Sequence, residues 1–414
     1  MRRLIWRTVL ERIIAGIDVG TTKICTLVGE VDEGGALSIV GVGVVPSRGL
    51  RKGVVVNVGE ATEAIAASVE KAERVSGYEI ERAYVGVAGA HISCVNSRGM
   101  VAISRGRGGI TQDDINRALE AARAIAIPYD RSVIHVIPRG YIVDGQDGVR
   151  DPIGMHGFRL EVEVHIVTGA AASIHNLTKC IQDLGIEVED LVLSPLAAGE
   201  AVLTENEREM GVVLADIGGG TTDIAIFVED TICHAAVLPV GGNHLTNDLA
   251  VGLRAPFGVA EEVKKKYGYA RVEGVDPGEA VEVAMFGENS QQAISRQFIA
   301  QVLEARAEEI FELILQEVKR SGYDGLLPAG VVLCGGSARL AGMRELAREV
   351  MQLPVRIGAP KDLRGLVDTI SNPAYAASVG LLLWGLRHGP PPPKPKRGGL
   401  LGRLLEWLRV FLPG

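Results

Sequence analysis

The hydrophobic pattern of the chain switches repeatedly between two periods. Short β-branched runs at 13–19, 24–31, 37–45, 53–58 and 84–87 read as strands. Residues 60–76 read as a helix, with Ile65, Val69, Ala72 and Val75 on one side. From 89 to 169 the character changes. Short β runs at 100–104, 132–137 and 160–167 surround one helix that begins at Thr111. The Thr111 hydroxyl is placed to cap that helix, with Asp113 and Asp114 in its first turn. With its Gly- and Pro-rich turns, this stretch reads as a small inserted α+β subdomain. A helix at 173–184, a strand at 191–193 and a helix at 195–204 follow, with Pro195 in the last helix's first turn. Its Ala197-Ala198-Gly199 triplet allows close helix packing. Strands at 211–215 and 224–228 flank a glycine turn. Helices are then predicted from Asn243, over 260–267 and over 291–322. The last has an apolar stripe of Ile294, Phe298, Ile299, Val302, Ile310, Leu313 and Ile314. A buried strand at 331–333, a helix starting near Leu340 and a small-residue helix at 375–386 close the globular part.

Composition narrows this picture. The 414 residues call for two or more domains, and 47% hydrophobic content supplies their cores. A net charge of −8 excludes general nucleic-acid binding. The five cysteines are odd in number, widely spaced and without a C-x-x-C pair, so they read as reduced buried thiols. No apolar run reaches the ~20 residues of a membrane-spanning helix. Residues 1–12 are basic but lack the continuous apolar region of a signal peptide.

The densest chemistry lies in Asp216-Ile217-Gly218-Gly219-Gly220-Thr221-Thr222-Asp223. Glycines let the backbone approach a ligand and take positive φ without cost. Successive N–H groups in such a turn make an anion site suited to phosphate. The flanking carboxylates can position a hydrated Mg²⁺. Asp18-Val19-Gly20-Thr21-Thr22-Lys23 repeats the same grammar. By residue type, Asp18 matches Asp216, Gly20 matches Gly218 and Thr21-Thr22 matches Thr221-Thr222, which leaves two extra glycines in the second copy. Two copies half a chain apart predict two similar lobes that offer phosphate hairpins to one ligand. Cys334-Gly335-Gly336-Ser337, between a buried strand and a helix N-terminus, is a third approach point. The P-loop motif is absent, and so is a clean dinucleotide fingerprint.

Taken in chain order, these turns resemble the phosphate, phosphate and adenosine motifs of the actin-like ATPase superfamily, across 13–386. Residues 193–200 and 372–380 resemble its two connecting motifs. Three further motifs are similar to those of the bacterial FtsA family. These are His135-Val136-Ile137-Pro138, Asp151-Pro152-Ile153-Gly154-Met155-His156-Gly157 and Arg159-Leu160-Glu161-Val162-Glu163-Val164. The resemblance implies an α/β, actin-like two-lobed fold with an inserted α+β subdomain, 1C, and a C-terminal amphipathic helix. It divides the chain into a lobe I core (13–86, 166–200 and 362–388), 1C (87–165) and a lobe II core (201–228 and 305–361). Subdomain 2B (229–304), a linker (389–399) and a membrane-targeting helix (400–412) complete the division.

The same resemblance implies ATP and Mg²⁺. Asp18 and Asp216 would hold the metal through water. The backbones of Gly20, Thr21, Thr22 and Lys23, and of Gly218, Gly219, Gly220, Thr221 and Thr222, would cradle phosphates. Gly335, Gly336 and Ser337 would pack on adenine and ribose. Glu261 and Lys264, three apart on one helix face, would contact ribose and base; by residue type alone they read equally well as a solvated charged helix face. The implied partners are the FtsZ C-terminal peptide on 2B, further copies of the chain in head-to-tail filaments, later division proteins on 1C, and anionic lipids. The implied location is the cytoplasmic face of the membrane at the division site. One departure stands out. Related ATPases place a water-orienting Glu where this chain has Ser194, and Glu200 lies too far along to replace it. A hydroxyl is a poor base near neutral pH, so tight ATP binding with slow hydrolysis is expected and no catalytic residue is assigned.

The tail has its own logic. Pro390 to Pro393 and Lys394-Pro395-Lys396-Arg397 read as an extended linker. Beyond it, Leu401, Leu404, Leu405, Trp407, Leu408, Phe411 and Leu412 form the apolar arc of a helix. Arg403 and Arg409 accompany a single acid, Glu406. At ~1.5 Å per residue the helix is about 20 Å long, too short to span but suited to lie on an anionic surface. Two rivals remain at this stage: an actin-fold small-molecule kinase and a pilus-assembly ATP-binding protein.

Overall fold

The computed structural model describes residues 12–103, 109–124, 127–287 and 291–389. Two mixed sheets are built on one plan. In lobe I the strands lie in the order Glu187–Leu193, Arg82–Val87, Arg12–Val19, Lys23–Val31, Leu37–Pro46, with the short Arg364–Gly365 at the edge. In lobe II the order is Val355–Ile357, Val331–Cys334, Val212–Ile217, Thr222–Val228, Thr231–Leu238. Each sheet starts as a three-stranded antiparallel meander and continues on the far side of its first strand with two parallel strands. The sequence reading anticipates the hairpins but not the strand Thr231–Leu238, whose Thr-Ile-Cys-His-Ala-Ala run has no clean alternation.

Both central strands are apolar on both faces, as the strands of a sheet covered on two sides must be. Ile17, Ile24 and Val28 pack against the helices Val58–Ser76 and Ala171–Gln182. Val213, Ile224 and Ile226 pack against Gly242–Leu253 and Arg296–Ser321. The helix Ser194–Val202 crosses Ala376–His388 between the lobes. A Cβ added at Gly380 would fall 1.7 Å from the Ala197 carbonyl oxygen, so the two backbones touch and the Ala197–Gly199 triplet has its partner.

The inserted subdomain is a sheet in the order Ile92–Ala102, Arg159–Ala170, Arg131–Val143, Gln146–Val149, covered on one face by the helix Gln112–Arg123. The Asp114 carboxylate accepts from both the N–H and the hydroxyl of Thr111. A polar seam joins this unit to lobe II. Arg139 donates to the Tyr323 hydroxyl at 2.7 Å, and the Asn96 amide donates to the Cys233 carbonyl at 3.3 Å.

Three sequence expectations are corrected. The predicted helix over 291–322 begins only at Arg296. Gln291–Ser295 is a strand paired with Ala280–Ala284, and Ile294 lies opposite Val281. The expected strand at 53–58 is only Val54–Val55, because Asn57 caps a helix that starts at Val58. The helix expected near Leu340 is a 3-10 turn, Ser337–Arg339, and the α-helix starts at Met343. The expected linker (389–399) lies outside the described residues except for Gly389, and the expected amphipathic helix (400–412) lies wholly outside them.

Candidate nucleotide cleft

Both glycine hairpins project into one cleft between the lobes, with a volume of about 160 Å³ and a mouth open to solvent. Asp18, Gly20, Thr21, Thr22 and Lys23 line it from lobe I; Asp216, Gly218, Gly219, Thr221, Gly335 and Gly336 line it from lobe II. The floor comes from the crossing helices and the turn before one of them: Ser194, Ala374 and Ala377. Gly53, Ala88 and Asp223 also line the cleft. Nothing in the sequence pattern singles out Gly53 or Ala88, whose atoms there need carry no side-chain chemistry, whereas Ala374 and Ala377 fall within the 372–380 motif. Asp223, one of the carboxylates flanking the glycine turn, joins Gly53 and Ala88 as a residue that sequence reasoning leaves without a site role.

The strand pairing corrects the alignment of the hairpins. Val19 pairs with Ile24 and Asp18 with Cys25, while Ile217 pairs with Thr222 and Asp216 with Asp223. Each turn therefore holds the same number of residues, 20–23 and 218–221. The two additional glycines of the second copy are replacements, not insertions. Thr21 and Thr22 occupy the positions of Gly219 and Gly220, Lys23 that of Thr221, and Cys25 that of Asp223. Both turns close alike: Gly20 N–H donates to the Lys23 carbonyl at 3.1 Å, and Gly218 N–H to that of Thr221 at 2.9 Å. Of these turn glycines none has positive φ; among the cleft glycines, Gly53 (+75°) and Gly335 (+87°) do.

Electrostatics concentrate on three aspartates. The Ser378 hydroxyl donates to Asp18 at 2.7 Å. Burial, aided by Asp18, pushes the Asp216 carboxyl up to about 7, against the pull of Lys23. Burial and then Asp216 push Asp223 to about 8, although Thr221 donates to it at 3.0 Å. The other Asp223 oxygen, Oδ1, is buried without a partner. Lys23 donates to the Ala374 carbonyl and lies 4.6 Å from the centre of the Tyr375 ring. Clustered carboxylates, two of them pushed up by burial and by an aspartate neighbour, with an unpartnered oxygen on Asp223, suit a cation. Among the described residues no three His, Cys, Asp or Glu side chains are grouped to ligate a metal directly. The donor set therefore fits a hydrated ion reached through water.

The remaining predicted residues stand off the wall. Gly220 lies directly against the Thr21 side chain. Thr222 turns inward, its hydroxyl on the Val240 carbonyl at 2.9 Å. Ser337 donates to the Gly218 carbonyl at 3.2 Å, and Gly218 also accepts from Gly242 N–H. Lys264 bonds the Gly242 carbonyl at 3.0 Å and Glu261 at 2.6 Å. Burial alone would raise the Glu261 carboxyl, but Lys264, Thr246 and Lys265 hold it below the usual range. Burial lowers Lys264 in turn. The pair is thus a half-buried brace behind the lobe II hairpin rather than a solvated helix face. Glu200 is held away from the cleft by Arg208 and Arg387.

Comparison with known proteins places this geometry. A family profile described as "Cell division protein FtsA" matches residues 213–380, and one described as "SHS2 domain inserted in FTSA" matches 89–168. The chain is 47% identical over 376 residues to the cell division protein FtsA of Pseudomonas aeruginosa, covering 91% of this chain and 90% of that protein. It is 39% identical over 378 residues to FtsA of Bacillus subtilis, covering 91% and 84%. Among solved structures, a PilM-PilN type IV pilus biogenesis complex superposes with a TM-score of 0.66 at 15% identity, covering 90% of this chain and 98% of that one. MreB 5 of Spiroplasma citri bound to AMPPNP gives 0.55 at 16%, covering 97% and 99%. At these identities the structural neighbours speak for the actin-like fold alone, so the pilus likeness gives the pilus-assembly reading no support of its own. The sequence relatives go further, and the chain belongs to the FtsA family of cell-division proteins.

Proposed function

We propose that this chain binds ATP with Mg²⁺ between its lobes, assembles with further copies of itself, and tethers FtsZ to the cytoplasmic face of the membrane at the division site. The observation that carries the nucleotide reading is the meeting of two equivalent Asp-apolar-Gly hairpins in one cleft with Asp18, Asp216 and Asp223. Asp18 and Asp216 would hold the cation through water. Bound there, the cation would offset phosphate charge. The hairpin backbones supply N–H groups, and Lys23 adds a fixed positive charge. The Glu261–Lys264 brace fixes Gly242 and, through it, the lobe II turn.

Hydrolysis would be slow. Ser194 is buried at the cleft floor, and no acid besides the three aspartates lines the cavity among the described residues. A hydroxyl orients water without accepting its proton near neutral pH.

Partner binding would use other surfaces. Val251, Phe257, Phe286 and Phe298 are large apolar side chains exposed within 229–304, where the FtsZ C-terminal peptide would dock. Later division proteins would meet the inserted subdomain. Membrane attachment rests on the sequence of 400–412. Each buried large apolar side chain gives ~1.5–3 kcal/mol before folding costs, so one anchor binds reversibly. A polymer of anchors gains avidity. Co-sedimentation with anionic liposomes, with and without ATP and an FtsZ tail peptide, tests the whole. Binding should rise with ATP and vanish in Trp407→Glu, whose ATP affinity stays intact. Vesicle binding that survives Trp407→Glu would remove the tail from the account.

A further inference from the structure

The two hairpins do more than face a common ligand; they touch. A Cβ built on Gly219 would stand 2.2 Å from Cγ2 of Thr22. One built on Gly220 would stand 2.8 Å from both Cγ2 and Oγ1 of Thr21. The contact is crosswise: the second turn position of each hairpin meets the third of the other. Side chains sit at these positions in lobe I, and hydrogens in lobe II. Positive φ does not explain the glycines, because neither has it.

Neither tip can retreat. In lobe I, Ser47 N–H donates to the Thr22 carbonyl at 3.1 Å, and Gly53 N–H donates to the Thr21 hydroxyl at 3.0 Å. In lobe II, Gly242 N–H holds the Gly218 carbonyl at 2.9 Å, and Asn243 N–H holds that of Gly219 at 2.7 Å. Each tip is thus pinned to its own lobe. An added methyl could be accommodated only by separating the lobes or straining those bonds.

We infer that Thr21 and Thr22 are the latch that sets how far the lobes close, and that Gly219 and Gly220 are the notches that receive it. They are positioning residues. Phosphates held by both backbones sample whatever separation the latch allows, so the steric fit at four side-chain positions fixes the geometry of the nucleotide site. This rests on the nucleotide reading for its consequence, though the contact itself needs no ligand.

The test moves a methyl group across the cleft. Two quantities are measured on the full chain: the thermal midpoint without nucleotide, and the affinity for a fluorescent ATP analogue with Mg²⁺. Gly219→Ala should lower the midpoint and weaken binding about tenfold or more. Adding Thr22→Ser removes the Cγ2 it strikes and leaves Oγ1 at 3.2 Å, so both readouts should recover. Gly220→Ala should be rescued by Thr21→Ala and not by Thr21→Ser, because the hydroxyl at 2.8 Å remains in the serine. A glycine required only for phosphate approach would be rescued by neither threonine. Folded Gly219→Ala that Thr22→Ser fails to restore, or Gly219→Ala without effect, overturns the latch. Should Gly219→Ala not fold, recovery of folding in the double variant supports the latch and its failure overturns it. Rescue of the midpoint in a chain whose unsubstituted form binds no nucleotide would uphold the latch and sink the nucleotide reading.

Discussion

The two hairpins share one register and carry opposite contents. Lobe I presents Thr21, Thr22, Lys23 and, one pair in, Cys25; lobe II presents Gly219, Gly220, Thr221 and Asp223 at the same positions. Bulk on one side answers its absence on the other. Charge is divided too. Lys23 has a hydroxyl as its counterpart, and Asp223 a thiol that burial and Asp18 push up to about 12. A repeated backbone frame has kept its Asp-apolar-Gly entry in both copies and specialised everything after it. Lobe I brings steric bulk and a cation; lobe II brings clearance and an extra carboxylate.

The comparison breaks most visibly at the strand beside each hairpin. Gly86 lies opposite Asp18, where an added Cβ would meet only ordinary contacts at 3.5 Å or more. In lobe II Cys334 lies opposite Asp216, and one residue further on the chain turns at Gly335, with φ of +87° and room for no Cβ: Asp216 Oδ1 and the Ile217 carbonyl would lie at 2.3 and 2.5 Å. Gly335→Ala should therefore cost about 2 kcal/mol or more. Gly86→Ala should change stability by no more than about 0.5 kcal/mol. Urea denaturation of the two variants measures both; equal costs would mean the lobes are not differentiated there.

A smaller effect sharpens the charge asymmetry. Asp223→Asn removes an acid whose Oδ1 is buried unpartnered, and should stabilise the nucleotide-free protein by about 1 kcal/mol while weakening Mg²⁺-dependent ATP binding. Cys25→Ala, at the matching lobe I position, should instead destabilise by about 1 kcal/mol through the cavity it leaves, with ATP binding unchanged. Calorimetric melting combined with ATP titration separates these signs. A stabilised Asp223→Asn that keeps full affinity would show that its carboxylate serves no ligand.

How much of this the sequence could reveal depended on what carried the signal. The paired hairpins were legible because β-branched runs and an Asp-apolar-Gly step are local features. Their mutual alignment was not. Residue type matched Thr21-Thr22 to Thr221-Thr222, whereas backbone pairing matches them to Gly219-Gly220. Only cross-strand register, which is non-local, decides between the two. Spacing put Glu261 and Lys264 on one face, but not their burial behind Gly242. Gly53 and Ala88 reach the cleft through the path of the backbone, which no side-chain pattern encodes. At 291–295 a strand was absorbed into the following helix, because Ile294 fits either period.

The central claim is that both lobes grip one nucleotide. Isothermal titration of ATP, with and without Mg²⁺, into the unsubstituted chain, Asp18→Asn and Asp216→Asn tests it most directly. The account predicts a single Mg²⁺-dependent site per chain, weakened about tenfold or more by either substitution. Undiminished affinity in either variant, or binding indifferent to Mg²⁺, would contradict it.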